Sequence, residues 1–283
     1  TTGGTVAINN GTASANATAS INYLTNYTLK ATPATGYYFV GWYSAAPTGS
    51  NESLKLSADN PFTRNMPATA QTTYARFDIK QFTITFNRNY TSADATTHAT
   101  LTNAKYGTTQ TVNVPTNTGY KFAGWYDARS GGNQVYGTGS SLTIKDHGSN
   151  NTALTLYAHW TPNTITITYK NGGGSGADQT QTATYGTNVT AKAANTFTAP
   201  ASKVVSFNVN GGSGSVSSLN STYTFLNWLS NRDSHTYNAG ATSNTAFGAG
   251  NNTTVTMTAQ WKQNAIPLPA GPTRTGYTFA GWY

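Results

Sequence analysis

One aromatic block recurs four times along the chain, and a chain built from copies of one motif folds only in ways that let every copy bury the same face. The copies are Gly36-Tyr37-Tyr38-Phe39-Val40-Gly41-Trp42-Tyr43, Gly119-Tyr120-Lys121-Phe122-Ala123-Gly124-Trp125-Tyr126, the looser Tyr223-Thr224-Phe225-Leu226-Asn227-Trp228-Leu229, and Gly276-Tyr277-Thr278-Phe279-Ala280-Gly281-Trp282-Tyr283. Each of the first three is followed, 33 to 35 residues after its Trp, by a short alternating segment that closes on an aromatic residue: Phe77, Trp160 and Trp261.

Upstream of the blocks lie opening strands in which apolar residues alternate with polar ones: Val6 and Ile8; Phe82, Ile84 and Phe86; Ile165, Ile167 and Tyr169. The first and third run into Asn9-Asn10-Gly11 and Asn171-Gly172-Gly173-Gly174, whose glycines supply the positive φ of a tight hairpin. In the second, Asn87-Arg88-Asn89-Tyr90, asparagine takes that role. A Tyr-Gly pair follows in two copies, Tyr106-Gly107 and Tyr185-Gly186. Each module thus reads as strand, hairpin, strand, aromatic strand, variable loop and closing strand. The boundaries fall at 1–80, 81–162, 163–263 and 264–283, joined by the short linkers Asp78-Ile79-Lys80 and Thr161-Pro162-Asn163. The third module is longer, with 103 residues from Trp125 to Trp228 against 83 from Trp42 to Trp125, because Val204 to Gly212 looks like an inserted hairpin strand. The fourth lacks a variable loop and closing strand, has Pro267, Pro269 and Pro272 where an opening hairpin would be, and cannot alone bury Trp282.

Helical periodicity is confined to runs of a turn or two, such as Ser50 to Ser57 and Ser140 to Asp146, so the expected fold class is mainly β with at most one short helix per module. In an ideal strand Phe39, Gly41 and Tyr43 face one way and Tyr38, Val40 and Trp42 the other, so one set is expected in the core and the other partly exposed. The expected structural core is Phe39, Trp42, Phe77, Phe122, Trp125, Trp160, Phe225, Trp228 and Trp261. Tyr277, Phe279, Trp282 and Tyr283 of the incomplete copy form a candidate inter-subunit segment.

Composition limits the function classes. Charged residues make up 8% of the chain, against roughly a quarter in ordinary soluble proteins, so solubility rests on Thr, Asn, Ser and Gly, while 18 Tyr, 11 Phe and 6 Trp provide the apolar surface to fold. Cysteine is absent, which removes disulfides, thiolate chemistry and Cys metal sites. Together with the low charge this points to an exported protein. The net charge of +8 is spread over single Lys and Arg residues, which excludes a nucleic-acid groove and leaves a mild attraction to anionic wall polymers or acidic glycans. No apolar run approaches the roughly 18 residues of a transmembrane helix.

Sites for chemistry are not evident. The acids Glu52, Asp59, Asp78, Asp94, Asp127, Asp146, Asp178 and Asp233 fall in loops or at strand ends without the paired spacing of hydrolases, and His98, His147, His159 and His235 share no metal-ligand spacing. His159, beside Trp160, is expected on the solvent face. The Asn171–Gly176 glycines lack the Lys and Ser/Thr of a phosphate loop. No acid falls at an inward strand position, which disfavours a Lys–Asn isopeptide cross-link. No catalytic, cofactor or metal residue is assigned. Sequons at Asn16, Asn26, Asn51, Asn89, Asn150, Asn188, Asn220 and Asn251 permit glycosylation.

The opening strand ending in Asn-Gly-Gly, the Tyr-Gly pair, the Gly-Tyr-x-Phe-x-Gly-Trp-Tyr block and the closing Leu156-Tyr157-Ala158-His159-Trp160 strand together resemble the internalin B-repeat, or Listeria-Bacteroides repeat, family, most closely over residues 81–162. Residues 163–263 look like a variant with an insertion, and residues 1–80 like a divergent member. The resemblance implies small ubiquitin-like β-grasp modules in tandem on a secreted or wall-associated bacterial surface protein. It implies no enzyme and no cofactor: the expected role is a structural stalk or adhesin spacer whose partners are other modules of the same protein. The alternatives are a subunit of an extracellular filament built by strand exchange through the last copy, and a carbohydrate-binding module using exposed aromatics.

Overall fold

The structure, a computed structural model, describes residues 3–48, 52–91 and 96–283. Asp94 and Asn51 lie outside them. The fold is mainly β, and one 3-10 turn, Glu52–Leu54, is the helical element among the described residues. The chain divides into two compact units: residues 1–115 with 122–159, and residues 116–121 with 160–283.

In the first unit, residues 3–79 build two three-stranded antiparallel sheets. Gly4–Ile8 pairs with Asn26–Pro33, which pairs with Phe62–Asn65; Lys55–Ser57 and Tyr74–Ile79 flank Tyr37–Tyr43. Tyr27, Leu29, Ala31, Trp42 and Ala75 fill the space between the sheets, with Val6, Ile8, Phe39 and Phe77 packed against them. The rest of this unit carries a five-stranded sheet in the order Gln134–Tyr136, Tyr120–Tyr126, Ala153–Pro162, Gln81–Asn87, Thr97–Lys105. The opening strand Gln81–Asn87 runs parallel to the closing strand Ala153–Pro162 and antiparallel to Thr97–Lys105. Its alternation is clean: Phe82, Ile84 and Phe86 are all at most 1% exposed.

The second unit repeats that order with Gln179–Thr184, Thr164–Lys170, Thr254–Gln263, Tyr223–Ser230 and Thr236–Tyr237. Thr164–Lys170 is again parallel to the closing strand, Ile167 opposite Val255 and Tyr169 opposite Met257. Its core takes in Ile165, Ile167, Tyr169, Trp228, Phe247, Val255 and Met257.

Several sequence expectations are corrected. Ser140 to Asp146 is not helical: Ser141–Thr143 pairs with Thr109–Thr111, because Leu142 and Ile144 are needed in the core and strand geometry puts both on one side. The part of Ser50 to Ser57 that is described is split between the 3-10 turn and the strand Lys55–Ser57. At Asn9-Asn10-Gly11 the two asparagines take the left-handed conformation, with φ 47° and 61°, and the glycine does not. Asn is the non-glycine residue that best tolerates this region because its short side chain bonds locally, and here the Asn9 Oδ1 accepts from the Thr28 N–H at 2.8 Å. The supposed linkers are mostly strand. Asp78 and Ile79 end Tyr74–Ile79, Thr161 and Pro162 end Ala153–Pro162, and only Lys80 and Asn163 separate those strands from the next.

Because Trp125 is 1% exposed and lies edge-on to Phe86 and Phe122, with ring centroids 4.8 and 5.1 Å away, Trp125→Ala is expected to cost about 3–5 kcal/mol, a large part of a domain's usual stability. Leu226→Ala, at a residue 52% exposed, should cost under about 0.5 kcal/mol. Urea unfolding followed by near-ultraviolet circular dichroism checks both.

Candidate functional site

The aromatic block departs from simple alternation. In Tyr37–Tyr43 the pairing with Tyr74–Ile79 runs Phe39 to Phe77 and then Gly41 to Arg76, so Val40 is an extra residue; Leu226 is extra in the same way between Phe225 and Asn227. Such a bulge rotates the strand by one position. The Phe and the Trp three residues later therefore share a face, where period two would put them on opposite faces, and their rings sit 5.3 Å apart in Phe39–Trp42, 5.1 Å in Phe122–Trp125, 5.0 Å in Phe225–Trp228 and 5.1 Å in Phe279–Trp282. Tyr43 is also fully buried, its hydroxyl donating to Glu52 Oε1 at 3.0 Å.

The glycine that opens the block forms a socket. In the first unit a Cβ on Gly36 would lie 1.9 Å from the Tyr106 ring, and Gly36 has φ +78°, so only glycine fits there. Around it the Lys80 N–H donates to the Gly36 carbonyl at 2.9 Å, and the Tyr106 N–H to the Lys80 carbonyl at 2.9 Å. The Gly36 N–H donates to Asp146 Oδ2 at 3.0 Å, and the Lys80 ammonium holds both Asp146 oxygens at 3.0 and 2.9 Å. Burial pushes the Asp146 carboxyl up, but the Lys80 ammonium and the Gly36 and Gly148 N–H groups together outweigh it and hold the carboxyl below its ordinary 3.8.

Within the second unit the same device appears without charge. Tyr185 covers Gly119, where a Cβ would lie 2.2 Å from the ring. The Asn163 N–H donates to the Gly119 carbonyl, the Tyr185 N–H to the Asn163 carbonyl, and the Gly119 N–H to Asn251 Oδ1 at 2.8 Å. Asn163 thus stands where Lys80 stands in the first unit, and Asn251 where Asp146 stands. At Gly276 nothing lies within 4 Å of the Cβ position.

Groups able to do acid–base or metal chemistry are tied up in structure. Arg76 grips Asp78 through Nε at 3.1 Å and Nη2 at 2.8 Å and reaches Glu52 at 3.6 Å. The Tyr43 hydroxyl foremost, then Lys55 and Arg76, lower the Glu52 carboxyl, the opposite of what a general acid needs. Tyr237, buried and donating to Asp233, is pushed up to about 12. Among the described residues no three His, Asp or Glu cluster as metal ligands would. His159, expected toward solvent, is half-buried: its ring stacks on Tyr126 at 3.8 Å and its Nε2 lies 2.9 Å from the Ala128 carbonyl. The flat ring offers Tyr126 a stacking partner at the strand end. Burial lowers His147, whose Nε2 lies 2.9 Å from the Tyr136 hydroxyl.

Of the aromatics singled out in the sequence, Trp42, Trp125 and Trp228 are at most 1% exposed, while Phe39, Phe77, Phe122, Trp160, Phe225 and Trp261 are half-buried around them. Trp261 caps its sheet through an Nε1 bond to the Asn171 carbonyl. Tyr277 and Phe279 are exposed, Tyr283 fully so, and Trp282 is half-buried with its Nε1 donating to the Pro269 carbonyl at 3.1 Å. The remaining exposed tyrosines, Tyr23, Tyr74 and Tyr90, stand on separate strands and loops. Sequence reasoning missed the socket residues Lys80, Asp146, Asn163 and Asn251. The signal was present in the fixed spacing of Gly36 and Gly119 to the Tyr-Gly pairs that follow them.

The Listeria-Bacteroides repeat domain matches residues 82–159 and 244–283, and the divergent InlB B-repeat domain matches residues 2–81. A putative Gly-rich membrane protein of Evansella cellulosilytica is 31% identical over 164 residues, 55% of this chain and 17% of that protein. Internalin H of Listeria monocytogenes is 33% identical over 129 residues, 45% of this chain and 20% of its own length. The chain spans a fifth or less of the length of these relatives. No solved structure matches it. No helix among the described residues is long and apolar enough to cross a membrane. With the repeated block, its bulge and its socket matched in this way, the chain belongs to the internalin B-repeat, or Listeria-Bacteroides repeat, family, as a run of tandem copies of that repeat.

Proposed function

We propose that this chain is a non-catalytic spacer region of a bacterial surface protein, an extracellular stalk whose modules stack in sequence and hold other parts of the protein away from the cell. The modules are those of residues 1–80, 81–162 and 163–263, with 264–283 opening a fourth, and their partners are neighbouring modules of the same protein. The observation that carries this reading is the socket at Gly36. A side chain, a backbone ladder and an ion pair all converge on one glycine, and Lys80 is the single residue between the strands Tyr74–Ile79 and Gln81–Asn87. A one-residue connection braced this way resists bending far more than a flexible linker.

The ubiquitin-like β-grasp assignment belongs to the same proposal. A parallel pair of opening and closing strands at the centre, with a hairpin partner on one side and the aromatic strand on the other, supports it for the two five-stranded sheets. Residues 3–79, with antiparallel pairings throughout, are a divergent form. Attraction of the +8 chain to anionic wall polymers would add a diffuse hold at the cell surface.

In nitrogen-15 relaxation measurements on the whole chain, residues 3–80 and 81–115 are expected to share one correlation time. Tyr106→Ala should let them reorient separately without unfolding either, and independent tumbling of the unaltered chain would sink the spacer reading.

The ion pair in the socket makes it sensitive to acid. Asp146 has a folded pKa below its unfolded value, so its contribution is complete above about pH 4 and is lost as pH falls through the folded value. His147, depressed by burial, adds to the loss in the same direction from its ordinary 6.5 downward. Asp146→Asn keeps an acceptor for the Gly36 N–H, as Asn251 does for Gly119. Thermal melts between pH 3 and 5 should therefore show a shallower decline in Tm for the variant than for the unaltered chain.

A further inference from the structure

The inserted segment of residues 203–221 is a complete opening hairpin in the wrong place. Lys203–Val205 pairs with Leu219–Ser221 in the register Lys203 to Ser221, Val204 to Asn220 and Val205 to Leu219. Shifted by 38 positions, this is the register of the opening hairpin of the second unit: Ile165 to Ala183, Thr166 to Thr182, Ile167 to Gln181. The turn matches too, since the Gly212 N–H donates to the Val209 carbonyl as the Gly174 N–H does to Asn171.

This hairpin serves the fourth aromatic block. Ser213 bridges Thr273 as Ser175 bridges Thr198. The Phe207 and Trp282 rings lie 4.9 Å apart, as Tyr169 and Trp228 do at 4.8 Å and Phe86 and Trp125 at 4.8 Å. The Trp282 Nε1 donates to Pro269 as that of Trp228 donates to Lys192. One element has no counterpart. In both complete sheets a closing strand lies between the opening strand and the aromatic strand. Here that place is an open groove of about 750 Å³ walled by Val205, Phe207, Phe279 and Trp282, and residues 278–283 belong to no strand.

We propose that this groove is an acceptor for one β-strand from a second polypeptide, a strand of the closing type with a large apolar residue, Ala and an aromatic residue at alternate positions. It would run parallel to Val204–Asn208 and antiparallel to Tyr277–Tyr283. The complete sheets specify that chemistry. Met257 and Leu156 are fully buried, Ala259 sits opposite Trp228 and must be small, and Trp261 sits opposite Phe225. Another copy of this chain does not supply it, because Tyr74–Ile79, Ala153–Pro162 and Thr254–Gln263 are each already paired in their own sheets. The acceptor is held together before the strand arrives, by the Phe207–Trp282 contact and the Ser213–Thr273 bridge, so an incoming strand gains backbone hydrogen bonds and apolar burial while ordering little beyond itself.

The test is a fluorescence-polarisation titration of the whole chain with a labelled synthetic peptide of the sequence found at Thr254–Gln263. Saturable binding is expected, weakened at least tenfold by Trp282→Ala and by Phe207→Asp in the chain, and at least tenfold by Lys in place of the Met and Trp of the peptide. Both chain variants must keep the wild-type circular dichroism of the second unit. Absence of binding, or equal binding of a scrambled peptide, overturns the proposal. So does concentration-dependent self-association of the unaltered chain in light scattering that the peptide does not compete away, since the occupant would then be a second copy. The spacer reading stands on the socket at Gly36 and does not depend on either result.

Discussion

The contact between a phenylalanine and a tryptophan three residues further on is the constraint from which the rest of each repeat follows. A flat strand cannot make it, because residues three apart face opposite ways. One extra residue in the aromatic strand brings both rings to the same side. The Trp then fills the middle of the core, and the position opposite it in the closing strand must be small: Ala75 lies across from Trp42 and Ala259 across from Trp228. The large residues of the closing strand are displaced one alternation to either side, as Met257 and Trp261 are. Two elements of the motif, the block and the closing Ala-x-aromatic, are one packing solution seen from its two strands.

The glycine that starts the block answers a second demand, close approach of backbone to the tyrosine of a Tyr-Gly pair. Its hydrogen-bond frame is the same at Gly36 and Gly119, while the side chains that complete it differ: Lys80 with Asp146 in one case, Asn163 with Asn251 in the other. The geometry therefore specifies an acceptor for the glycine N–H and leaves its charge open. The charged version is partly buried, with Lys80 17% and Asp146 22% exposed, so its attraction is offset by desolvation and its main effect is to add a pH dependence that the neutral version lacks.

The β class, the repeats and the central tryptophans were legible in the sequence because each rests on a local pattern: period-two alternation, recurrence, and large aromatics at matching positions. The bulge was not legible, since an inserted residue leaves the composition of the strand unchanged and only the partner strand reveals the shift from Val40 to Gly41. His159 was misplaced for the same reason: alternation put it outward, and the stacking of Tyr126 across the strand covers it. Asp146 and Asn251 looked like ordinary loop residues because their partner glycines lie 110 and 132 positions away. Residues 3–79 share the block and its Trp but fold the opening strand against Asn26–Pro33, a choice set by tertiary pairing that strand propensity does not encode.

The hairpin at residues 203–221 shows why a linear division of this chain misplaces a strand. Its backbone pairing is internal, so it needs little from its sequence neighbours and can sit wherever the chain passes close to a suitable aromatic block. The cost of closing a longer loop grows only with the logarithm of its length, about 0.6 kcal/mol for each doubling. One well-buried aromatic contact is worth more than that. Placing the hairpin for the fourth block before the aromatic strand of the third is therefore cheap. A hairpin and an aromatic block are separable halves of the repeat, and the closing strand is the third part that locks them. A repeat assembled from parts that pair by register and not by adjacency stays recognisable when its parts are interleaved, which is how one chain holds two complete five-stranded sheets and a further half whose central place is open.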